Sequence, residues 1–127
     1  MIIKGSNFLV IDNSGARSVQ CIQYLGKKIT KRLNLNDLIV VVVKKMEPKA
    51  KGLKLKIKKS DVCYALIVKT KQPFIRNTGI VLKASVNSVI LLNKNKEAIG
   101  TRINGYIYKE VTRTALLKNI AIAKFII

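Results

Sequence analysis

Residues 62–69 read Val-Cys-Tyr-Ala-Leu-Ile-Val-Lys, and the first seven of them form the longest apolar run in the chain. A run of this length, rich in β-branched residues, is typical of a strand that is buried on both faces. It is too short to span a bilayer, because a transmembrane helix needs about 20 apolar residues. Residues 38–43, Leu-Ile-Val-Val-Val-Val, predict a second packed strand after a turn over residues 34–37.

Shorter strands are predicted on both sides of these runs. They cover residues 8–11, 17–25, 79–83 and 88–92, and they are separated by turns or loops at residues 12–15, 93–97 and 100–105. Short strands with turns at about ten-residue spacing predict an all-β sandwich or a small barrel. From residue 110 to 119 the sequence favours one or two short helical turns, followed by an extended end.

The charge balance points to a polyanionic partner. The chain has 127 residues, which suits one domain, and its 25 Lys and Arg face only six acids, for a net charge of +19. The partner is nucleic acid, an anionic membrane or an acidic protein. We find no amphipathic basic helix and no lipidation signal, so nucleic acid is favoured over a membrane. With no Trp and few aromatic residues, contacts to phosphates and to RNA shape are expected rather than base stacking.

Residues that would support catalysis are missing. The chain has no histidine, and its acids are scattered singly, with no phosphate-binding glycine motif. This excludes histidine-based catalysis and disfavours carboxylate pairs and metal sites. Cys21 and Cys63 lie on separate strand-like segments and are interpreted as buried thiols of an intracellular protein. We therefore expect a protein that is not an enzyme and that needs no cofactor and no metal.

A lysine-rich segment is the main candidate for binding. Between residues 53 and 58, Leu53, Leu55 and Ile57 alternate with lysines. In extended form this pattern places ammonium groups on one face and aliphatic groups on the other. The segment is then an arm that lays lysines against phosphates, or, as the alternative, a solvated charged loop.

Four motifs occur in a specific order: residues 12–17 (Asp-Asn-Ser-Gly-Ala-Arg), 58–62 (Lys-Lys-Ser-Asp-Val), 65–71 (Ala-Leu-Ile-Val-Lys-Thr-Lys) and 100–105 (Gly-Thr-Arg-Ile-Asn-Gly). With residues 87–93 between the last two, the chain resembles the universal large-ribosomal-subunit protein 14 family from residue 1 to about 123. The resemblance implies a mainly β fold: a small five-stranded β-barrel with a short C-terminal helical and loop region. The whole chain, 1–127, is then one ribosomal-protein domain, with the barrel over about 1–105 and the tail over about 106–127.

The resemblance also implies a function. Proteins of this family are structural constituents of the large ribosomal subunit that bind large-subunit rRNA. They contribute to an inter-subunit bridge with small-subunit rRNA and contact neighbouring large-subunit proteins, those of families 3 and 19. The surface that carries the Gly-Thr-Arg motif also receives a ribosome-silencing or anti-association factor. The alternative is a free-standing basic RNA-binding or chaperone barrel.

Two sets of candidate site residues follow. The expected rRNA-binding residues combine the motifs with the lysine-rich segment: Asn13, Ser14, Arg17, Lys27, Lys28, Lys44, Lys45, Lys49, Lys51, Lys54, Lys56, Lys58, Lys59, Lys69, Lys71 and Arg76. The residues expected to face the bridge or the factor are Thr101, Arg102, Arg113 and Lys118.

Departures from the family pattern and the codon bias suggest a location. Asn36 stands where the family has Gly, so a positive φ is expected there, and a shortened turn spans residues 76–79. Ile, Lys and Asn together make up 48 of the 127 residues, which indicates an A/T-rich genome. We expect a divergent, organelle-encoded member of the mitochondrial ribosome. The alternatives are the cytoplasm of an A/T-rich bacterium or a plastid.

Overall fold

A computed structural model describes residues 4–25, 33–46, 57–95, 97–100, 103–108 and 111, together with the backbone of 123–126. Within these ranges the chain is almost entirely strand and turn. The strands are β1 (Asn7–Val10), β2 (Ala16–Tyr24), β3 (Leu38–Met46), β4 (Val62–Lys69), β5 (Phe74–Ile75), β6 (Val81–Leu82), β7 (Ser88–Leu92), β8 (Ile103–Ile107) and β9 (Ala123–Ile126).

Five of the strands close into a barrel in the order β1-β2-β3-β4-β7. Neighbouring strands run antiparallel, except at the seam between β7 and β1, where they run parallel. Closure pairs both edges of each of these strands, which a chain rich in Val and Ile needs in order to avoid edge-to-edge association. The barrel confirms the mainly β, five-stranded fold.

The barrel interior is filled by alternate side chains of its strands. They are Phe8, Val10, Val19, Cys21, Ile39, Val41, Val43, Ala65, Ile67, Val89 and Leu91. This period of two is the geometry of a strand with one face toward the core. Full burial of one such aliphatic side chain contributes about 1.5–3 kcal/mol, so this stack is the main source of stability.

A second apolar cluster lies on the outside of the same sheet. Leu66 and Val68 on β4, together with Ile90 and Leu92 on β7, pack against Ile103 and the residues that follow it. The outer faces of β4 and β7 are therefore buried as well as the inner ones. This explains why residues 62–68 form a continuous apolar run instead of alternating.

The structure departs from the sequence predictions after β4. The loop predicted over residues 100–105 gives way to a strand at Ile103, because β8 pairs in parallel with β9. The strand predicted over residues 79–83 is shorter and is one arm of a small hairpin with β5, which the sequence did not predict. The predicted helical turns over residues 110–119 lie outside the described residues, apart from Val111. In the part of the chain described here, no helix is long and apolar enough to cross a membrane.

Asp12 completes the seam at which the barrel closes. The backbone bonds of this seam run from Leu9 N to Asn87 O at 3.0 Å and from Ile11 N to Val89 O at 3.3 Å. At the next step, Leu91 N donates to Asp12 Oδ2 at 3.0 Å. The Ile11 carbonyl instead accepts from Asn104 N at 2.6 Å. The Asp12 side chain thus replaces a backbone acceptor and lets the barrel bond to β8.

The turn after β1 depends on the same carboxylate. Asp12 Oδ1 accepts from Ser14 N at 3.1 Å and from Ser14 Oγ at 2.5 Å. Burial raises the pKa of the Asp12 carboxyl, and the hydrogen bonds from Ser14 and Leu91 act in the opposite direction. Gly100 lies against this turn so closely that an added Cβ would stand 2.8 Å from Asn13 Oδ1.

Replacing Asp12 by Asn tests the seam. Each carboxylate oxygen accepts a hydrogen bond from a backbone N–H group. An amide at this position would therefore direct its own NH₂ group at one of these two N–H donors. We expect Asp12→Asn to lower the free energy of unfolding by about 1–3 kcal/mol, the cost of a buried donor without an acceptor. Urea unfolding monitored by circular dichroism measures this difference.

Glu97→Gln is the matched control, because it removes the same charge from an exposed side chain. Its effect should stay within about 0.5 kcal/mol. Equal destabilisation by the two variants would assign the effect to charge alone and contradict the role of the Asp12 carboxylate.

Candidate nucleic-acid interface

Strand order gathers exposed cations at one end of the barrel. The start of β2, the end of β3, the start of β4 and the end of β7 all lie there, since their pairs are antiparallel. We call this the basic end and define it by six exposed residues, Arg17, Lys44, Lys45, Lys58, Lys59 and Lys94. Five of them are predicted rRNA-binding residues. Lys94 was not predicted.

Two bulges set the direction of the first cations. Ala16 pairs with Met46 and Ser18 with Lys45, so Arg17 is an extra residue on β2. Val19 then pairs with Val43, which leaves Lys44 as an extra residue on β3. A bulge bends the strand and redirects its side chains, and such bulges are common at barrel rims and near functional sites.

The turn before β4 holds Lys58 and Lys59 outward. Asp61 Oδ2 accepts from Lys58 N at 2.8 Å, and Ser60 N donates to Val43 O at 2.9 Å. Ser60 has a φ of 70°, which is uncommon for a residue other than Gly, Asn or Asp. The turn therefore bonds its backbone to the exposed Asp61 carboxylate, while both lysines stay exposed.

The two motif residues next to Asp12 differ in accessibility. Asn13 is exposed at the basic end, whereas Ser14 is buried and its hydroxyl donates to Asp12. We therefore assign Ser14 a role inside the turn and retain only Asn13 as a residue that can reach RNA.

The remaining described candidates lie at the opposite end of the barrel. Lys71 is exposed, and its N–H donates to Asn87 Oδ1 at 2.8 Å. Arg76 is half-buried in the hairpin turn. Lys69 is only 8% exposed, and its ammonium lies 4.3 Å from the centroid of the Tyr106 ring. Burial lowers the pKa of Lys69, and its cation–π contact ties β4 to β8.

Part of the predicted site lies outside the described residues. This applies to Lys27, Lys28, Lys49, Lys51, Lys54, Lys56, Thr101, Arg102, Arg113 and Lys118. The described residues that flank two of these segments are at the basic end. Met46 and Ile57 border the lysine-rich segment, and Gly100 and Ile103 flank Thr101 and Arg102 beside Asp12.

A cavity of about 610 Å³ opens between β4 and the turn after β7. It is lined by Ile57, Asp61, Val62, Cys63, Tyr64, Leu92, Asn93, Lys94 and Ile99. Burial, with repulsion from Asp12 and Asp61, raises the pKa of the Cys63 thiol to about 11. Since the thiolate is the reactive form, Cys63 is a poor nucleophile and a poor metal ligand at neutral pH. Burial also raises the pKa of Cys21, and both cysteines are free.

Comparison with known proteins identifies the family. The model of the family "Ribosomal protein L14p/L23e" matches residues 1–127. The large ribosomal subunit protein uL14m of Dictyostelium discoideum is 64% identical over 129 residues, and the match covers all of both chains. The chain belongs to the ribosomal protein L14p/L23e family. This confirms the resemblance that the ordered motifs carry, including the mitochondrial assignment.

For this L14p/L23e chain, three features of the site besides Lys94 were not predicted from the sequence. The bulges at Arg17 and Lys44 depend on how β2 and β3 pair, and neither strand carries a local signal such as Gly. The burial of Lys69 depends on β8, which begins 34 residues after Lys69 in the sequence. The positive φ at Ser60 has no sequence signal, whereas that at Asn36 was predicted and is confirmed at 70°.

The raised pKa of Cys63 predicts slow alkylation of the folded protein. A shift from 9.0 to about 11 lowers the thiolate fraction at pH 8 about 100-fold. We expect iodoacetamide to modify Cys63 about 100-fold more slowly in the native chain than in concentrated urea. The native rate should rise with pH up to about 11, whereas the unfolded rate should level off near 9.

The Cys21→Ala variant isolates the signal of Cys63, since these are the two cysteines of the chain. Mass spectrometry of the alkylated protein gives the rate. Cys63 is half-buried, in contrast to the buried thiol that the sequence predicts. Equal rates in the native and unfolded chains would contradict its raised pKa.

Proposed function

We propose that this chain binds large-subunit rRNA through the basic end of its barrel. As a mitochondrial member of the L14p/L23e family, the chain is a structural constituent of the large ribosomal subunit. The observation that supports rRNA binding is the gathering of six exposed cations from four strands and their turns at one end of a closed barrel. Catalysis is not part of the proposal, because the chain has no histidine and belongs to a family of ribosomal proteins.

The binding mechanism follows from rigid presentation of charge. Lysine and arginine side chains that contact phosphates release condensed counterions, which drives association. Such contacts position a protein on RNA by the shape of the RNA, and they do not recognise the base sequence of the RNA. The bulges and the turn before β4 hold the backbone of these cations in place, so less ordering entropy is lost on binding.

We also propose that Thr101 and Arg102, between Gly100 and Ile103 in the sequence, take part in an inter-subunit bridge with small-subunit rRNA. By family resemblance the proposal includes Arg113 and Lys118. The two flanking residues, Gly100 and Ile103, lie beside Asp12 at the closing seam of the barrel. In this proposal the same surface receives a silencing or anti-association factor, and proteins of families 3 and 19 are the neighbours.

Charge removal at the basic end should change the salt dependence of rRNA binding. We expect Lys44→Ala/Lys45→Ala to reduce the slope of log affinity against log salt concentration by about 1.4–1.8, which is 0.7–0.9 for each lost phosphate contact. Filter binding of the full chain to a large-subunit rRNA fragment across a salt series measures this slope.

Lys4→Ala/Lys83→Ala is the matched control. It removes the same number of exposed charges outside the basic end, so it should change the slope by less than half as much. If both pairs lower the slope equally, net charge governs binding and the assignment to the basic end is wrong.

Arg102 tests the proposed bridge. An arginine fork that binds phosphate across the interface contributes to subunit joining, while rRNA binding within the large subunit uses other residues. We expect Arg102→Ala to weaken joining of large and small subunits in sucrose gradients while incorporation into large subunits stays normal. Equal loss of joining and incorporation would contradict this division, and Arg102→Lys separates the fork from the charge alone.

A further inference from the structure

The hairpin formed by β5 and β6 lies outside the barrel and has two unlike faces. Phe74 pairs with Leu82, and Ile75 pairs with Val81. Because side chains alternate along a strand, the first pair faces one way and the second pair faces the other. Leu82 packs against the second apolar cluster, so the Phe74–Leu82 face is the inner one.

The outer face is apolar and open to solvent. Ile75 is 69% exposed and Val81 is 56% exposed, and Ile80 at the tip is 54% exposed. A hairpin with one face on a core normally carries polar residues on the other. Here two β-branched aliphatic side chains stand directly opposite each other and are exposed to solvent. Adjacent exposed apolar side chains of this kind favour contact with a partner.

The turn of this hairpin is well defined. Gly79 N donates to Arg76 O and Arg76 N donates to Ile80 O, both at 2.9 Å. Gly79 has a φ of 87°, as the shortened turn requires. The backbone therefore presents the Ile75–Val81 pair in one conformation, as a docking surface requires.

Exposed cations stand on both sides of this hairpin in the sequence. Lys71 precedes β5 and Lys83 follows β6, and both are exposed. No acid occurs anywhere between residues 62 and 96. A partner that fits must therefore supply negative charge around an apolar centre.

We propose that the outer face of this hairpin, Ile75, Val81 and the tip residue Ile80, is a docking surface for a neighbouring protein. The fitting segment carries apolar side chains that cover this face, and carboxylates that reach the exposed Lys71 or Lys83. An apolar core with a charged rim is the arrangement of a protein interface. RNA phosphates would satisfy the cations but would leave the aliphatic pair against a polar surface. A second copy of the chain is repelled by its net charge of +19.

This inference goes beyond the proposed rRNA contact and does not depend on it. Native large subunits are treated with a carbodiimide, which activates carboxylates so that the neutral amine of a nearby lysine attacks them, forming an amide and releasing a urea. The products are mapped by mass spectrometry. We expect Lys71 or Lys83 joined to an Asp or Glu of another protein, in a segment that also contains apolar residues. Ultraviolet crosslinks from residues 74–83 to nucleotides, without a carboxylate crosslink, would overturn the proposal in favour of RNA.

The aliphatic pair is tested by Ile75→Thr/Val81→Thr, since Thr preserves the preference for strand. In reconstituted large subunits the carbodiimide crosslink should fall about tenfold or more, as expected when a central apolar contact is lost. Val86→Thr is the matched control, because Val86 is exposed outside the strand pair, and it should leave the crosslink unchanged.

Two further measurements keep the outcomes separate. The double variant should bind the rRNA fragment as the wild type does, within about twofold, and should keep its thermal unfolding midpoint. Loss of rRNA binding in the double variant would overturn the protein partner. Loss of rRNA binding in Lys44→Ala/Lys45→Ala concerns only the basic end. A crosslink that persists in the double variant would also overturn the proposal.

Discussion

Closure of the barrel at the β1–β7 seam is the constraint on which the rest of the structure depends. The seam is short, with only two residue pairs in register, and it is the one parallel junction among the five barrel strands. The Asp12 carboxylate extends it by accepting from Leu91 N, and this leaves the Ile11 carbonyl for β8. One side chain therefore joins the closing seam to the turn after β1, while the Ile11 carbonyl that it replaces bonds to β8. Burying the charged Asp12 carboxylate costs free energy, and the same burial raises its pKa. Three hydrogen bonds offset that cost.

The closed barrel brings exposed positive charges of this chain together at one end. In an unfolded or extended chain, lysines distributed over the whole sequence would present charge on all sides. Antiparallel pairing brings the start of β2, the end of β3 and the turn before β4 to the same end, although these segments lie up to about 40 residues apart in the sequence. A folded domain with this net charge is stabilised by a polyanion that neutralises it, so the rRNA binding that we propose would also stabilise the fold.

The outer faces of β4 and β7 show how one sheet serves two cores. Their inward side chains fill the barrel, while Leu66, Val68, Ile90 and Leu92 support the second cluster. This second cluster holds β8 through Ile103 and Ile107, and holds the β5–β6 hairpin through Leu82. Lys69 adds a polar link by lying over the ring of Tyr106. β8 and the β5–β6 hairpin are thus packed against the same sheet.

The sequence alone determined the class of fold and the five barrel strands, and it predicts a polyanionic partner. Local patterns carry this information: period-two alternation at residues 17–25, β-branched runs at residues 38–43 and 62–68, and turn residues such as Asn36. The ordered motifs also indicated the family to which the chain belongs. Only the tertiary structure decided that Lys69 is buried, that Arg17 and Lys44 lie at bulges, and that residue 103 begins a strand. The physical reason is that each of these depends on partners distant in sequence, through cross-strand register or through packing of β8, which no local propensity encodes.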